Sequence, residues 1–266
     1  MKLNEIAVSK IEEDLKTQDL RSFLNSLGVK NYTIRDDGLV DVDGDVELRR
    51  FNFKQIPIQF GHIKGDFDIS YSTNLFNLEN SPKQIDGNFV INECHNLVSL
   101  KGSKETIIVL DFKCTFNSKL TSIEEGPQQV GRNYDLYQCE NLKSLKGIQK
   151  RINGYFTCSQ CVSLTSFKDG PTHVDGDFSA NNCRSLDSLN FLPKEIKGEF
   201  FIGKLSSRVK YYLVPIFNVK GITKIRIFAN SLISAIMTEH YLSGRDMLNC
   251  QDELIESGFE QYAEVE

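Results

Sequence analysis

Several kinds of chemistry are missing from this chain. No stretch gathers Lys and Arg into a basic stripe, and the formal net charge is -5 with a pI near 5.5. Binding to phosphates rests on clustered cations that release counterions, so no nucleic-acid partner is expected. No run approaches the roughly eighteen apolar residues of a membrane span. Residues 1–13 alternate in charge and lack the apolar centre of a secretory signal. A cytoplasmic protein without membrane contact is the expectation, in the host cytoplasm if the source is viral. The phosphate-loop and dinucleotide fingerprints are absent, and no cofactor is expected.

Histidine is scarce and scattered, at His62, His95, His173 and His240. His95 abuts Cys94, but neighbours in a strand face opposite ways, which argues against a catalytic Cys–His pair. Cys158-Ser159-Gln160-Cys161 has CxxC spacing, yet zinc would need a second pair of thiolates. Asp41-Val42-Asp43-Gly44-Asp45 has the look of a calcium loop but misplaces its glycine and lacks the closing Glu. Neither a catalytic nor a metal-ligating residue is assigned, and no enzymatic activity is expected.

What the chain has is a repeat. Apolar anchors at Val42, Ile63, Ile85, Ile108, Val130, Ile152, Val174 and Ile196 are spaced by 21, 22, 23 and then 22 residues throughout. Four residues beyond each anchor stands Val46, Phe67, Phe89, Phe112, Tyr134, Phe156, Phe178 or Phe200. A second inward column follows at plus six, from Leu48 to Ile202, and leucine columns run at plus twelve and plus fifteen. Cys94, Cys139, Cys161 and Cys183 share plus nine. Such a period predicts a solenoid in which stacking alone makes a continuous apolar interior. Six of the seven cysteines, Cys250 excepted, thus read as small buried hydrophobes in a reducing compartment.

From anchor to plus six the residues alternate, which predicts a strand. Glycine at plus two, as in Gly65, Gly87, Gly154 and Gly198, suits a bend or a close backbone approach. Residues 1–40 are expected to form a helical cover, with Leu3, Ile6, Ile11 and Leu15 in one helix. Thr17 would cap a second, ending at Gly28, before a turn at Asp36-Asp37-Gly38. Residues 41–203 form the solenoid. In 204–266 a short helix should stop near Pro215, Ile222–Ile227 should add a strand, and Leu232 to Tyr241 mark a helix. Ser243-Gly244-Arg245-Asp246 has the spacing of a capping box before a last helix. These sixty residues are read as a cap or a docking module.

Phrases such as Cys139-Glu140-Asn141-Leu142-Lys143-Ser144-Leu145 and Cys183-Arg184-Ser185-Leu186-Asp187-Ser188-Leu189 resemble the C-x-x-L-x-S-L stretch of leucine-rich repeats of the cysteine-containing BspA-like class. The whole unit is also similar to repeat proteins of large tailed bacteriophages. The resemblance implies an α/β-type, leucine-rich-repeat-like solenoid with a parallel sheet of about eight rungs and helical caps at both ends. The family's first leucine is polar here, which leaves a parallel β-helix open as the alternative. The resemblance also implies binding rather than catalysis, with a host factor as one partner.

Odd offsets face outward and define the candidate binding surface, read as concave and mildly acidic: Asp66, Asp68, Asn88, Asn92, Lys113, Asn133, Asp135, Tyr137, Tyr155, Thr157, Asn181 and Phe201. Its carboxylates predict a protein partner with a basic patch, and Tyr137, Tyr155 and Phe201 are the residue types that anchor interfaces. A structural, assembly role in a virion is the alternative.

Overall fold

A computed structural model describes residues 18–206, 209, 212–228 and 230–263. The chain winds into a parallel-sheet β-solenoid of about eight turns. Each coil contributes one short strand ending at its anchor and another that includes plus four. The second set builds one nine-stranded ladder from Val46–Glu47 through Phe67–Asp68, Phe89–Val90, Phe112–Lys113, Tyr134–Asp135, Phe156–Thr157, Phe178–Asn181 and Glu199–Gly203 to Lys224–Ile227. Every pairing in it is parallel, with like offsets opposed, as Phe156 is to Phe178.

That register stacks the aromatic column. Successive rings from Phe67 to Tyr134 have centroids 5.2, 5.7 and 5.0 Å apart, and Phe178 lies 5.3 Å from Phe156 and 5.6 Å from Phe200. All are fully buried. Burying each ring contributes roughly 2–3 kcal/mol, so the column is a main source of cohesion between coils. The leucine columns at plus twelve and plus fifteen are buried opposite it.

The anchor strands form a second ladder, split in two. Six strands run from Tyr32–Ile34 to Gln129–Val130, and three from Arg151–Ile152 to Glu195–Ile196. At the break, the Gln149 side chain substitutes for the missing neighbour: its Oε1 accepts the Val130 N–H at 2.8 Å and its Nε2 donates to the Val130 carbonyl at 3.0 Å. Gln149 stands where other coils have proline. The third side of the coil carries sparser bonds, such as Val98 N to Phe76 O at 3.1 Å and Thr121 N to Val98 O at 3.2 Å.

The corner after the nine-stranded ladder is made at plus eight. Arg50, Tyr71, Glu93, Phe116, Gln138, Gln160, Asn182 and Lys204 all have φ between 49° and 63°. Left-handed backbone costs a non-glycine residue about 1–2 kcal/mol. At seven of these corners the N–H donates to the next coil's plus-seven carbonyl, as Gln160 N does to Asn181 O at 2.7 Å. The second corner, at plus seventeen, includes Gly102 and Gly147, where a Cβ would stand 2.4 and 2.5 Å from backbone oxygens of the preceding coil.

At the N-terminal end, a helix over 18–26 (α1) buries Leu24, and Leu27 just beyond it is also buried, before Gly28 ends it at φ 75°. Leu3, Ile6, Ile11, Leu15 and Thr17 lie outside the described residues. The turn at Asp36–Gly38 closes an antiparallel hairpin of Tyr32–Ile34 with Val40–Val42, a pairing the repeat does not announce.

At the other end, α2 (Leu213–Phe217) runs through Pro215 rather than stopping before it. The proline sits in the first turn, where no N–H is required. Lys224–Ile227 adds the last parallel strand. Helix α3 (Ser231–Leu242) then packs along that strand, and Thr238 and Ser234, one turn apart, meet its outer edge. Thr238 Oγ1 accepts the Ile225 N–H at 3.0 Å and Ser234 Oγ the Ile227 N–H at 2.8 Å, while their own protons have the helix carbonyls of Ser234 and Asn230 as nearest acceptors, at 2.6 and 3.0 Å. The expected capping box does not form. Asp246 itself is the N-cap of α4 (Met247–Glu256), accepting Asn249 N at 3.2 Å, while Ser243 closes α3. A shorter α5 (Glu260–Ala263) follows.

Candidate functional site

The outward face of the nine-stranded sheet is knitted together by its own side chains. At plus three, each short acid or amide takes the N–H of the residue at the same offset one coil on. Asp45 accepts Asp66 N at 2.8 Å, Asp66 accepts Asn88 N at 2.7 Å, Asn133 accepts Tyr155 N at 2.8 Å and Asp177 accepts Glu199 N at 2.8 Å. The plus-two glycines clear the way: a Cβ on Gly65, Gly87, Gly154 or Gly198 would stand 2.1, 2.2, 2.0 or 2.3 Å from the accepting oxygen. Where Leu110 and Arg132 replace glycine, the bonds Asn88 to Asp111 N and Asp111 to Asn133 N lengthen to 3.2 Å. Tyr155 breaks the row, and its phenol instead donates to Asp135 at 3.3 Å.

The other two rows are similarly engaged. At plus five, Asp68, Asp135 and Thr157 accept the N–H two residues on, from Ser70, Tyr137 and Ser159, at 2.8, 2.9 and 3.2 Å. At plus seven, Asn92 accepts from Thr115 Oγ1 at 2.8 Å, and Tyr137 accepts from Gln160. Lys113 stands 3.6 Å from Asp111. Burial raises the Asp135 carboxyl above its ordinary range, and burial with the nearby Asp135 charge pushes the Tyr155 phenol up to about 12.

The expected site residues therefore separate into three groups. Asp66, Asp68, Asn88 and Asn92 lie on the coils anchored at Ile63 and Ile85. Lys113, Asn133, Asp135 and Tyr155 form a central polar cluster. Tyr137, Thr157, Asn181 and Phe201 lie toward α3, where the surface becomes a trough. One part of it, about 370 Å³, is bounded by Tyr137, Thr157, Ser159, Asn181, Lys204 and Phe228. The adjoining part, about 720 Å³, has Phe201 and Asn181 as floor and Ser231, Ala235 and Glu239 of α3 as wall. Arg226 lies 5.5 Å above the Phe201 ring and pairs with Glu199, while Lys204 lies 5.3 Å from the Phe228 ring. Oδ1 of Asn181 is buried without a hydrogen-bond partner.

No family model matches the chain. Neither the curated proteins nor the solved structures give a match.

The C-terminal contributors Lys204, Arg226, Phe228, Ala235 and Glu239 do not follow from the repeat. The spacing of α3 was readable, but not which of its faces would rise above the sheet. A larger cavity, about 980 Å³, lies elsewhere, at the plus-seventeen corner beside Ser103–Thr106. Two of its lysines are already paired, Lys101 with Glu79 at 2.7 Å and Lys146 with Glu124 at 2.5 Å, and it has no aromatic lining, so the smaller trough offers more to a protein ligand.

The plus-nine column is structural. Cys94, Cys139, Cys161 and Cys183 donate Sγ–H to the preceding coil's plus-six carbonyl at 3.1–3.4 Å. Ser72 and Asn117 occupy the same position and make the same bond, at 3.4 and 2.7 Å. All seven cysteines are buried and free, and burial drives the Cys158 and Cys161 thiols well above their usual range. Among the described residues no group of His, Cys, Asp and Glu is arranged to hold a metal ion. In the Asp41–Asp45 segment, Asp41 pairs with Arg35 at 2.7 Å and Asp45 serves the plus-three row. Among the described residues no helix is long and apolar enough to cross a membrane.

Proposed function

We propose that this protein is a non-enzymatic, cytoplasmic scaffold that docks another protein across the outward face of its nine-stranded sheet. The trough carries this reading. The face satisfies most of its polar groups internally, so Tyr137, Phe201 and Phe228 are the surface left to give, and aromatic side chains on a rigid support are what interface centres use. Asp66, Asp68 and Asp135 keep the N-terminal and central parts acidic, which favours a basic patch on that part of the partner. The resemblance to phage repeat proteins supports a host factor as that partner. Affinity capture from the producing cells with wild-type chain and with Tyr137→Ala/Tyr155→Ala/Phe201→Ala should recover one partner with the first and lose it with the second. Equal recovery by a variant of unchanged melting temperature would remove the face as the docking surface.

Within the solenoid class, the two ladders per coil and the absence of helix from the described coils favour a parallel β-helix. The shared Ser, Cys or Asn at plus nine favours the leucine-rich-repeat likeness instead. The helices at both ends act in this reading as covers, α3 most directly.

The assembly reading is favoured by one observation. Leu248 and Ile255, seven residues apart on α4, are 69% and 44% exposed, an apolar stripe suited to contacts made by the end of the solenoid. Stoichiometric presence in purified particles would support it over the first.

A further inference from the structure

The trough has two adjoining parts that share Asn181 and Phe228 in their linings. It crosses the strands from Tyr137 to Arg226, four strand spacings or about 19 Å, the length of about six extended residues. Its chemistry differs from the rest of the face. Lys204, Lys224 and Arg226 line it with one acid, Glu239, while Glu199 beside it is taken up by Arg226, which leaves the two lysines as its available cations; the N-terminal coils instead present Asp66, Asp68 and Glu47. The wider part has an apolar centre of Phe201, Ile227, Phe228 and Ala235. Between the two parts, the buried Asn181 Oδ1 has no donor. An unmet buried acceptor is destabilising, and a ligand N–H would relieve it.

We infer that the trough beside α3 receives an extended, acidic segment of the partner protein. A backbone N–H of that segment donates to Asn181 Oδ1, an apolar side chain seats between Phe201 and Phe228, and flanking carboxylates meet Lys204 and Lys224. Extended peptide supplies these three features at the strand repeat, since alternate side chains point to one side. A sugar acid would supply the carboxylate but leaves the apolar centre poorly filled. The inference rests on the face being a protein-docking surface and gives that surface a polarity: basic patch toward the first coils, acidic segment at the last.

The test is selection of a displayed library of random dodecapeptides on the full chain. Enriched sequences should place Asp or Glu around Phe, Leu or Ile. A fluorescein-labelled enriched peptide, followed by anisotropy, should bind about ten-fold more weakly to Lys204→Glu/Lys224→Glu, and measurably more weakly to Phe228→Ala and Asn181→Ala. Its affinity should fall with added salt and be unmoved by Lys101→Ala/Lys146→Ala, at the cavity away from this face. Enrichment of Lys- and Arg-rich peptides, no enrichment at all, or binding of oligogalacturonate in preference to peptide would each overturn the inference. Peptides lost only on Lys113→Glu/Tyr155→Ala would overturn it too, while leaving the face itself as a protein-docking surface.

Discussion

A Cβ placed on Gly154 would stand 2.0 Å from Oδ1 of Asn133, the atom that accepts the Tyr155 N–H at 2.8 Å. The glycine is needed because a side chain from the coil before occupies its space, not for its backbone freedom. Gly154→Ala should push Asn133 aside and cost about 2 kcal/mol. Asn133→Ala removes the acceptor and should cost about 1 kcal/mol. With Asn133 gone the severe clash is removed, although the Arg132 backbone carbon, 3.1 Å away, still crowds the methyl, so the double variant should lose clearly less than the two single losses combined. Strict additivity in urea unfolding would show that the two residues do not compete.

Tyr134 takes a phenylalanine's place in the aromatic column, and its hydroxyl is buried without a partner. Tyr134→Phe removes that unmet group and should stabilise the fold by about 1 kcal/mol. A fall in the denaturant midpoint would reveal a partner for the hydroxyl.

Asp135 should give a pH signature. Its folded carboxyl sits above the ordinary value, first because of burial, so the folded state holds the proton more tightly than the unfolded chain does. The stability this gives is full below the unfolded pKa of about 3.9 and is lost as pH rises through the folded value. Asp135→Asn, which keeps an acceptor for the Tyr137 N–H, should therefore melt higher than wild type at pH 7, with the difference closing toward pH 3.5. A constant difference across that window would contradict the assignment.

How much was legible follows from what the period enforces. Phe67 through Phe200, the leucine columns and the buried cysteines recur because each site sees the same neighbours one coil away, so repetition marked them as inward. The plus-eight corners left no mark: seven of the eight are neither Gly nor Asn, since the hydrogen bond to the next coil outweighs the left-handed cost. From spacing alone the outward row at plus three counts as binding surface, although Gly65-Asp66 and Gly87-Asn88 show the dipeptide that pairs a cleared space with a short acceptor. Ser243 has the spacing of an N-cap yet closes α3, because spacing alone cannot separate the end of α3 from the start of α4.

The cysteine column predicts inert thiols. None of the seven cysteines should react with an aromatic disulfide reagent in the native state, and all seven should react on unfolding. Because Ser72 and Asn117 make the same bond, Cys161→Ser should be tolerated within about 1 kcal/mol, whereas Cys161→Asp buries a charge and should unfold the neighbouring coils. Rapid native-state modification would show the column open to solvent.

The edge of the last strand depends on two hydroxyls. Ser234→Ala with Thr238→Val leaves the Ile225 and Ile227 N–H groups without acceptors, which should cost about 2–5 kcal/mol and expose an edge that pairs with other chains. Concentration-dependent association by light scattering is expected; a monodisperse monomer of wild-type stability would argue that α3 does not seal the ladder.

The proposed docking face exists only if successive coils stack in parallel register, and spin-label distances test that most directly. With labels at Glu47 and Thr157, then at Glu47 and Phe201, five and seven strand spacings intervene along one row, so the distances should be about 24 and 34 Å. A rise in that proportion is the predicted result. Equal distances, or a second distance shorter than the first, would contradict a stack of coils and with it the continuous face.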